Sequence, residues 1–339
     1  MSVPSRLPWP LVFQVLGVIA AVALVVATWQ IWLLVFAALI VAAAILPAAR
    51  VGESYRVPRG VTVLAVYVVM AALLALVGRL LWPALSEQSR QFMDQLPELL
   101  ARARGWLGNV DDFLARWGTE VPTPKASHLE GLVGTLVANS LKVTAGVVGA
   151  VVGLVAILVV GAFFVIDAEH LGRGLAALLP RAYRATAHQL TEPVLERIGG
   201  YVRGQVLVSI CVGIILGVGL SLIGVRYAIL IGAIATVLNF VPWIGSFVAF
   251  LLALAAALNE SVAQAGLTVG LFAVSNLIEG KVLVPYLVGR ATGLHPVIVL
   301  VGLLMGAHLA GLIGALVAIP FLAATWEIVR TLYVDPRRG

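Results

Sequence analysis

Apolar runs long enough to cross a lipid bilayer recur along this chain, divided by short polar stretches. A helix needs about 20 apolar residues to cross roughly 30 Å of hydrocarbon. The runs fall at 10–28, 30–48, 60–82, 141–166, 201–223, 226–258, 262–284 and 296–328. Six have ordinary span lengths, whereas 226–258 and 296–328 hold about 33 residues each and are broken by Gly or Pro. The pattern predicts an all-α polytopic membrane protein of about eight membrane segments. Two of these are Gly/Pro-broken re-entrant hairpins, and an amphipathic helical extramembrane insert is added.

Five regions follow from the pattern: N-terminal membrane helices with three spans (1–82), the insert (83–140), a fourth span with a cytoplasmic linker (141–200), a transport core with a possible inverted repeat (201–328) and a cytoplasmic tail (329–339). The first apolar stretch, Leu11–Ala27, is longer than a signal-peptide core and is read as a retained helix. Within the insert, apolar residues recur at Leu85, Phe92, Leu96, Leu99, Ala103, Trp106, Val110, Phe113 and Trp117. After the first gap the spacing alternates four and three, a heptad seam suited to packing on the protein, on the membrane surface or on another subunit. Pro97 is expected to start or kink a helix, and Val121–Lys125 reads as a linker. The stretch 167–200 is expected to be cytoplasmic and partly helical, along the interface or between membrane subdomains.

Composition agrees with lipid as the solvent. Hydrophobic residues make up 61% and charged ones 11% of the 339, with a mean hydropathy of +1.07. Soluble domains are about 25% charged, because polar residues must cover their surface. The net charge of +6 is thinly spread, with no basic run interleaved with aromatics, so nucleic acid is not an expected partner. Cytoplasmic loops of membrane proteins carry excess Arg and Lys. The loop 49–59 carries Arg50, Arg56 and Arg59 against Glu53, and the tail Arg330, Arg337 and Arg338 against Asp335. That places both termini and the loop 49–59 in the cytoplasm and residues 83–140 outside. Cys211 is the sole cysteine, so an intramolecular disulfide is excluded. No GxSxG, HExxH or GxxxxGK[ST] pattern is present and the histidines lack ligand spacing, so neither catalytic residues, a metal site nor a cofactor is expected.

The candidate chemistry lies in the two broken segments. Span 201–223 is followed by 226–258, and span 262–284 by 296–328. If each broken segment enters and leaves by one face, the two units become inverted copies. The first break, Asn239–Ser246, contains Pro242, which removes a backbone donor, and Gly245, which permits close approach. Carbonyls freed inside a membrane must meet water, an ion or a polar partner, and Asn239 is one candidate group. The second break holds Gly306, His308, Gly311 and Gly314, with Pro320 on the return limb. Glycines there suit a hairpin tip or close helix packing. Glu279, with Asn276 three residues earlier on the same helical face, is the carboxylate that a proton- or sodium-coupled process would need. An end-of-helix pair of Glu279 with Lys281 is the bland alternative. Arg290 and His295, between Pro285 and Pro296, are candidates for gating, anion binding or plain structure.

The runs NFVPWIGS, IEGKVLVPYLVGRATGLHP and GAHLAGLIGALVAIP resemble the autoinducer-2 exporter family, the PerM-like permeases. The resemblance is specific over 201–328 and architectural before it. Pro242, Trp243, Ile244 and Gly245 match the family's Pro–aromatic–Ile/Val–Gly core, and Leu294, His295 and Pro296 its LHP element. One departure is that Gly280 and Lys281 follow Glu279 where asparagine is common. The resemblance implies a homo-oligomeric transporter in the lipid bilayer of the bacterial cytoplasmic (inner) membrane, exporting a small polar solute such as autoinducer-2. Other family members resemble sodium(lithium)/proton antiporters, so that reading stays open, as does a non-transport membrane scaffold built on the insert.

Overall fold

The computed structural model describes residues 9–116, 143–242, 244–288 and 293–334. Among these every regular element is helical. The reason is the solvent: in hydrocarbon a helix satisfies its own backbone polar groups, whatever its side-chain propensities. Helix α4 (Val143–Ile166) makes the point, since its many valines disfavour helix in water.

Helix α1 (Trp9–Ala27) leads into α2 (Trp29–Ser54). A tight turn, with Arg56 at φ 61°, joins α2 to α3 (Arg59–Arg116). At 58 residues, α3 is about 87 Å long, twice the membrane including its headgroups. It passes through Pro83 and Pro97 without a break, so the third span and the start of the insert are one rod. The side chains of the heptad seam from Leu96 to Phe113 lie outside the described residues, as do Trp117 and the linker Val121–Lys125 entirely.

Helix α4 packs on α2 and α3 through Val165, Ala42, Ala49 and Val63. Helix α5 (Ala168–Leu178) then turns 81° away from α4. Helix α6 (Arg181–Ile223) is the spine of the bundle. Its glycines allow backbone-to-backbone approach: a Cβ on Gly199 would stand 2.1 Å from the Ala43 carbonyl, and one on Gly204 2.5 Å from that of Leu287. Further along, Gly213 and Gly217 meet Gly232 of α7 (Ala228–Leu238), a small-residue crossing of the kind membrane helices use to gain contact.

Helix α8 (Ile244–Glu260) returns along α7, with Ala228, Ile231 and Ala235 of one limb sharing a core with Ala249, Ala253 and Ala257 of the other. Helix α9 (Val262–Ile278) runs on as a π-helical segment, Glu279–Val288, so the helix does not end at Glu279. Helix α10 (Pro296–Val329) closes the fold, with a short π turn over Arg330–Val334.

Helix α10 is not a single rod. Ala310 and Gly311 leave helical geometry, Gly311 at φ 59° and ψ −141°, a conformation suited to glycine. A Cβ on Gly306 would stand 2.4 Å from the Gly314 carbonyl and 2.9 Å from the Cβ of Ala318. In a straight helix residues 306 and 318 would be about 18 Å apart. The chain therefore doubles back, and α10 is a second helical hairpin.

Contacts fix which end each hairpin comes from. The feet of α10 lie beside the N-terminal part of α6, where Arg197 Nε is 2.7 Å from Glu327 Oε2. The same end carries Arg59 paired with Glu53 and, at 2.7 Å, with Glu169. The feet of the α7–α8 hairpin lie at the other end, where α6 stops at Gly224 and α3 emerges. There Phe92 packs edge-on against Tyr227, the Tyr227 hydroxyl donates to Gln95 Oε1 (2.7 Å), and Leu230 N–H donates to Gln88 Oε1 (2.9 Å). Two hairpins thus enter one bundle from opposite ends.

Among the described residues five helices are long and apolar enough to cross a membrane, and a sixth is gained if α4 and α5 count as one bent span. That is fewer than the eight segments expected. The difference lies in α1 and in the limbs α7 and α8, whose 11 and 17 residues give only about 17 and 26 Å each. Large apolar side chains on the outer faces, such as Leu64, Leu73, Leu74 and Leu80 on α3, are exposed. The molecule is a multi-pass membrane protein.

Candidate functional site

The tip of the α7–α8 hairpin sits deep in the bundle. Pro242 has no N–H to give the Leu238 carbonyl, and Val241 N–H bonds it instead, at 3.0 Å. The helix therefore stops, and the carbonyl of Asn239 is met from another helix: Gln205 Nε2 on α6 donates to it at 2.7 Å. Gly245 starts the return limb against the Leu238–Asn239 peptide, where any Cβ would come within 2.4 Å of backbone atoms.

The side chain of Asn239 is fully buried and engaged at both ends. Its Nδ2 donates to Glu279 Oε1 at 3.1 Å, and its Oδ1 accepts from Ser246 Oγ at 3.1 Å. The Asn thereby ties the hairpin tip to the π-helical start of the 279–288 segment. Val241, in the same tip, packs with Leu303 and Ala315, one from each limb of α10. The two hairpins meet there.

Beside this meeting point lies a cavity of about 860 Å³. Gln205, Ser246, Asn276 and Glu279 contribute polar groups to its wall; Tyr201, Phe247, Phe250 and Phe272 contribute aromatic ones. Such a mix of apolar walls with a few convergent polar groups is the usual form of a small-molecule site. Pro242 and Pro296 also line it, so both broken segments border one space.

Of the residues singled out from sequence, Asn239, Pro242, Gly245, Asn276 and Glu279 come together here. Gly306 and Gly311 belong to the second hairpin, as limb contact and turn. His308 is exposed near that turn and does not line the cavity. His295 caps α10, its Nδ1 accepting from Val297 N–H at 3.3 Å, and Pro296 occupies the first helical position, where its missing donor costs nothing. Pro285 lies within the π-helical segment, exposed, and Pro320 is buried on the return limb. Trp243 and Arg290 lie outside the described residues. Lys281 is exposed, while Glu279 faces Asn239.

Gln205 and Ser246 were not singled out from sequence as site residues. Gln205 did carry a signal: an amide inside the apolar run 201–223 has to find a partner. Nothing in the linear pattern says that the partner is a main-chain carbonyl 34 residues away.

Comparison with known proteins identifies the family. The profile of the family described as "AI-2E family transporter" matches residues 11–333. "Putative transport protein YrrI" of Bacillus subtilis (strain 168) is 32% identical over 161 residues, 48% of this chain and 46% of that protein. "Putative transport protein MT0215" of Mycobacterium tuberculosis (strain CDC 1551 / Oshkosh) is 28% identical over 315 residues, covering 88% of this chain and 82% of the relative. "AI-2 transport protein TqsA" of Escherichia coli (strain K12) is 26% identical over 288 residues, covering 84% and 80%.

Proposed function

Because this chain belongs to the AI-2E family of transporters, we propose that it is a secondary transporter moving a small polar solute between its two hairpins. One observation carries the reading: hairpins entering from opposite ends converge on Asn239 and Glu279 beside a cavity large enough for a small molecule. A solute in that cavity faces both broken segments, so a shift of either hairpin changes its access to one end. The name of the Escherichia coli relative makes autoinducer-2 the first solute to try.

In this reading the hairpins are re-entrant, each entering and leaving by one membrane face. The feet of α10 face the cytoplasm of a bacterial inner membrane with both chain termini, as the Arg-bearing loop after α2 suggests. The distal part of α3 then stands outside. Asn239 holds the first hairpin closed on Glu279, and Glu279 is the residue through which a proton or sodium ion would couple. Gly306 and Gly311 let the second hairpin turn.

Two measurements test this. In inverted vesicles, a panel of small organic solutes, with labelled autoinducer-2 and organic cations among them, is screened, and uptake of any that is carried falls at least tenfold in Asn239→Ala or Pro242→Ala. Unchanged uptake in folded variants rejects the site. In a Cys211→Ser background, single cysteines at 226 and 261 label from one side and those at 295 and 330 from the other; cysteines flanking one hairpin on opposite sides would reject the topology.

A further inference from the structure

We infer that the cavity selects an organic monocation, a solute with one positive head and an apolar or aromatic body. The inference rests on the transport reading above and concerns what the site takes. Glu279 is the one side chain with a formal charge among the described residues lining the cavity. Among the described residues, the Arg203 guanidinium donates to the Ala43 and Ala44 carbonyls (3.3 and 3.2 Å), and Lys281 is exposed and does not line the space. A carboxylate offers about four lone-pair positions, and Asn239 fills one. A negative charge inside a membrane bundle needs a partner, and the described walls supply no positive one.

The rest of the wall describes that partner. Phe250 and Phe272 meet edge to face at 5.3 Å, and Tyr201 and Phe247 add further rings. Aromatic faces attract quaternary or protonated amines through their quadrupole. At about 860 Å³ the cavity is far larger than a bare inorganic cation with its close shell of oxygens. A volume of that order suits a drug-sized ligand. An anion would meet the carboxylate with no positive side chain among the described lining residues to offset it. A neutral polyol would leave most of its hydroxyls facing rings and aliphatic groups.

Three probes, all poorly permeant, separate the classes in liposomes holding the full-length protein: benzyltrimethylammonium, benzenesulfonate and ribose. Saturable ammonium uptake at least tenfold above both others is the expected result. Glu279→Gln should lower it at least tenfold, and Glu279→Asp, which keeps the charge, should retain the cation preference. The wild-type comparison stands even if Glu279→Gln fails to fold. Sulfonate or ribose carried as well as the ammonium ion overturns the charge selection and leaves the transport reading intact. So does a folded Glu279→Gln that keeps the preference. If none of the three crosses, and the solute panel of the preceding section is also not carried, the transport reading falls and this inference with it.

Discussion

Replacing Gly306 with alanine separates two structures that the sequence allows for residues 296–329. In a straight helix the change removes an interior glycine and should stabilise by about 1 kcal/mol. In the hairpin, the added methyl carbon would stand 2.4 Å from the Gly314 carbonyl oxygen and 2.9 Å from the Ala318 Cβ. Ordinary contacts need about 3.5–4 Å between carbons, so the limbs must part by roughly an ångström. Overpacking of this kind costs about 1–3 kcal/mol, close to a tenfold loss in the folded ratio for each 1.4 kcal/mol. The two structures thus predict opposite signs. The assay is denaturant unfolding of purified protein in mild detergent. Gly266→Ala and Gly270→Ala on α9 serve as controls, since a Cβ at either position meets nothing within 4 Å. They should be neutral or stabilising by up to about 1 kcal/mol. A Gly306→Ala protein as stable as its parent or more so would refute the fold-back. A second readout uses cysteines at 306 and 318 in a Cys211→Ser background, which should cross-link within one chain. In a straight helix those positions stand about 18 Å apart and cannot bridge.

Other changes probe the remaining joints. Gln205→Leu leaves the buried Asn239 carbonyl without its donor and should destabilise by about 1–3 kcal/mol, read by the same unfolding assay. Tyr227→Phe removes the 2.7 Å bond to Gln95 while keeping the ring on Phe92, at a cost of about 0.5–1.5 kcal/mol. Its signature should be faster hydrogen exchange in α7 than elsewhere, and uniform exchange would argue against a local role for the α3 contact. Arg197→Ala strands the nearly buried Glu327 carboxylate and should cost about 3–5 kcal/mol, with Glu327→Gln in the same chain recovering part of it. Failure of the second change to recover any stability would mean that the pair does not hold the α10 feet.

The relation of sequence to structure differs from one element to the next. The spans were legible because hydrocarbon imposes a single rule, that apolar side chains face out and the backbone bonds to itself, and a run of about 20 residues records it. The broken segments were legible from Pro242, Gly245, Gly306 and Gly311, since each removes a donor or admits a geometry that continuous helix does not use. Where α3 would stop was not legible. The change from lipid-facing to polar residues near 82 marks a change of solvent, and a helix need not break at such a change even at Pro83. The cap made by His295 was likewise hidden, because a histidine between Leu294 and Pro296 reads equally as a gate.

By itself the sequence determined that the chain is a helical membrane protein, roughly where it crosses, and where it is interrupted. Each of those properties depends on neighbours along the chain and on the solvent around it. Only the tertiary structure decided that the first interruption packs on both limbs of the second hairpin, that Gln205 closes the Asn239 carbonyl, and that Glu279 meets Asn239 at 3.1 Å. Those contacts join residues 34 and 40 positions apart on different helices. Their register is set by how closely α6 lets its neighbours approach at Gly204, Gly213 and Gly217, a property of packed surfaces that no local pattern records.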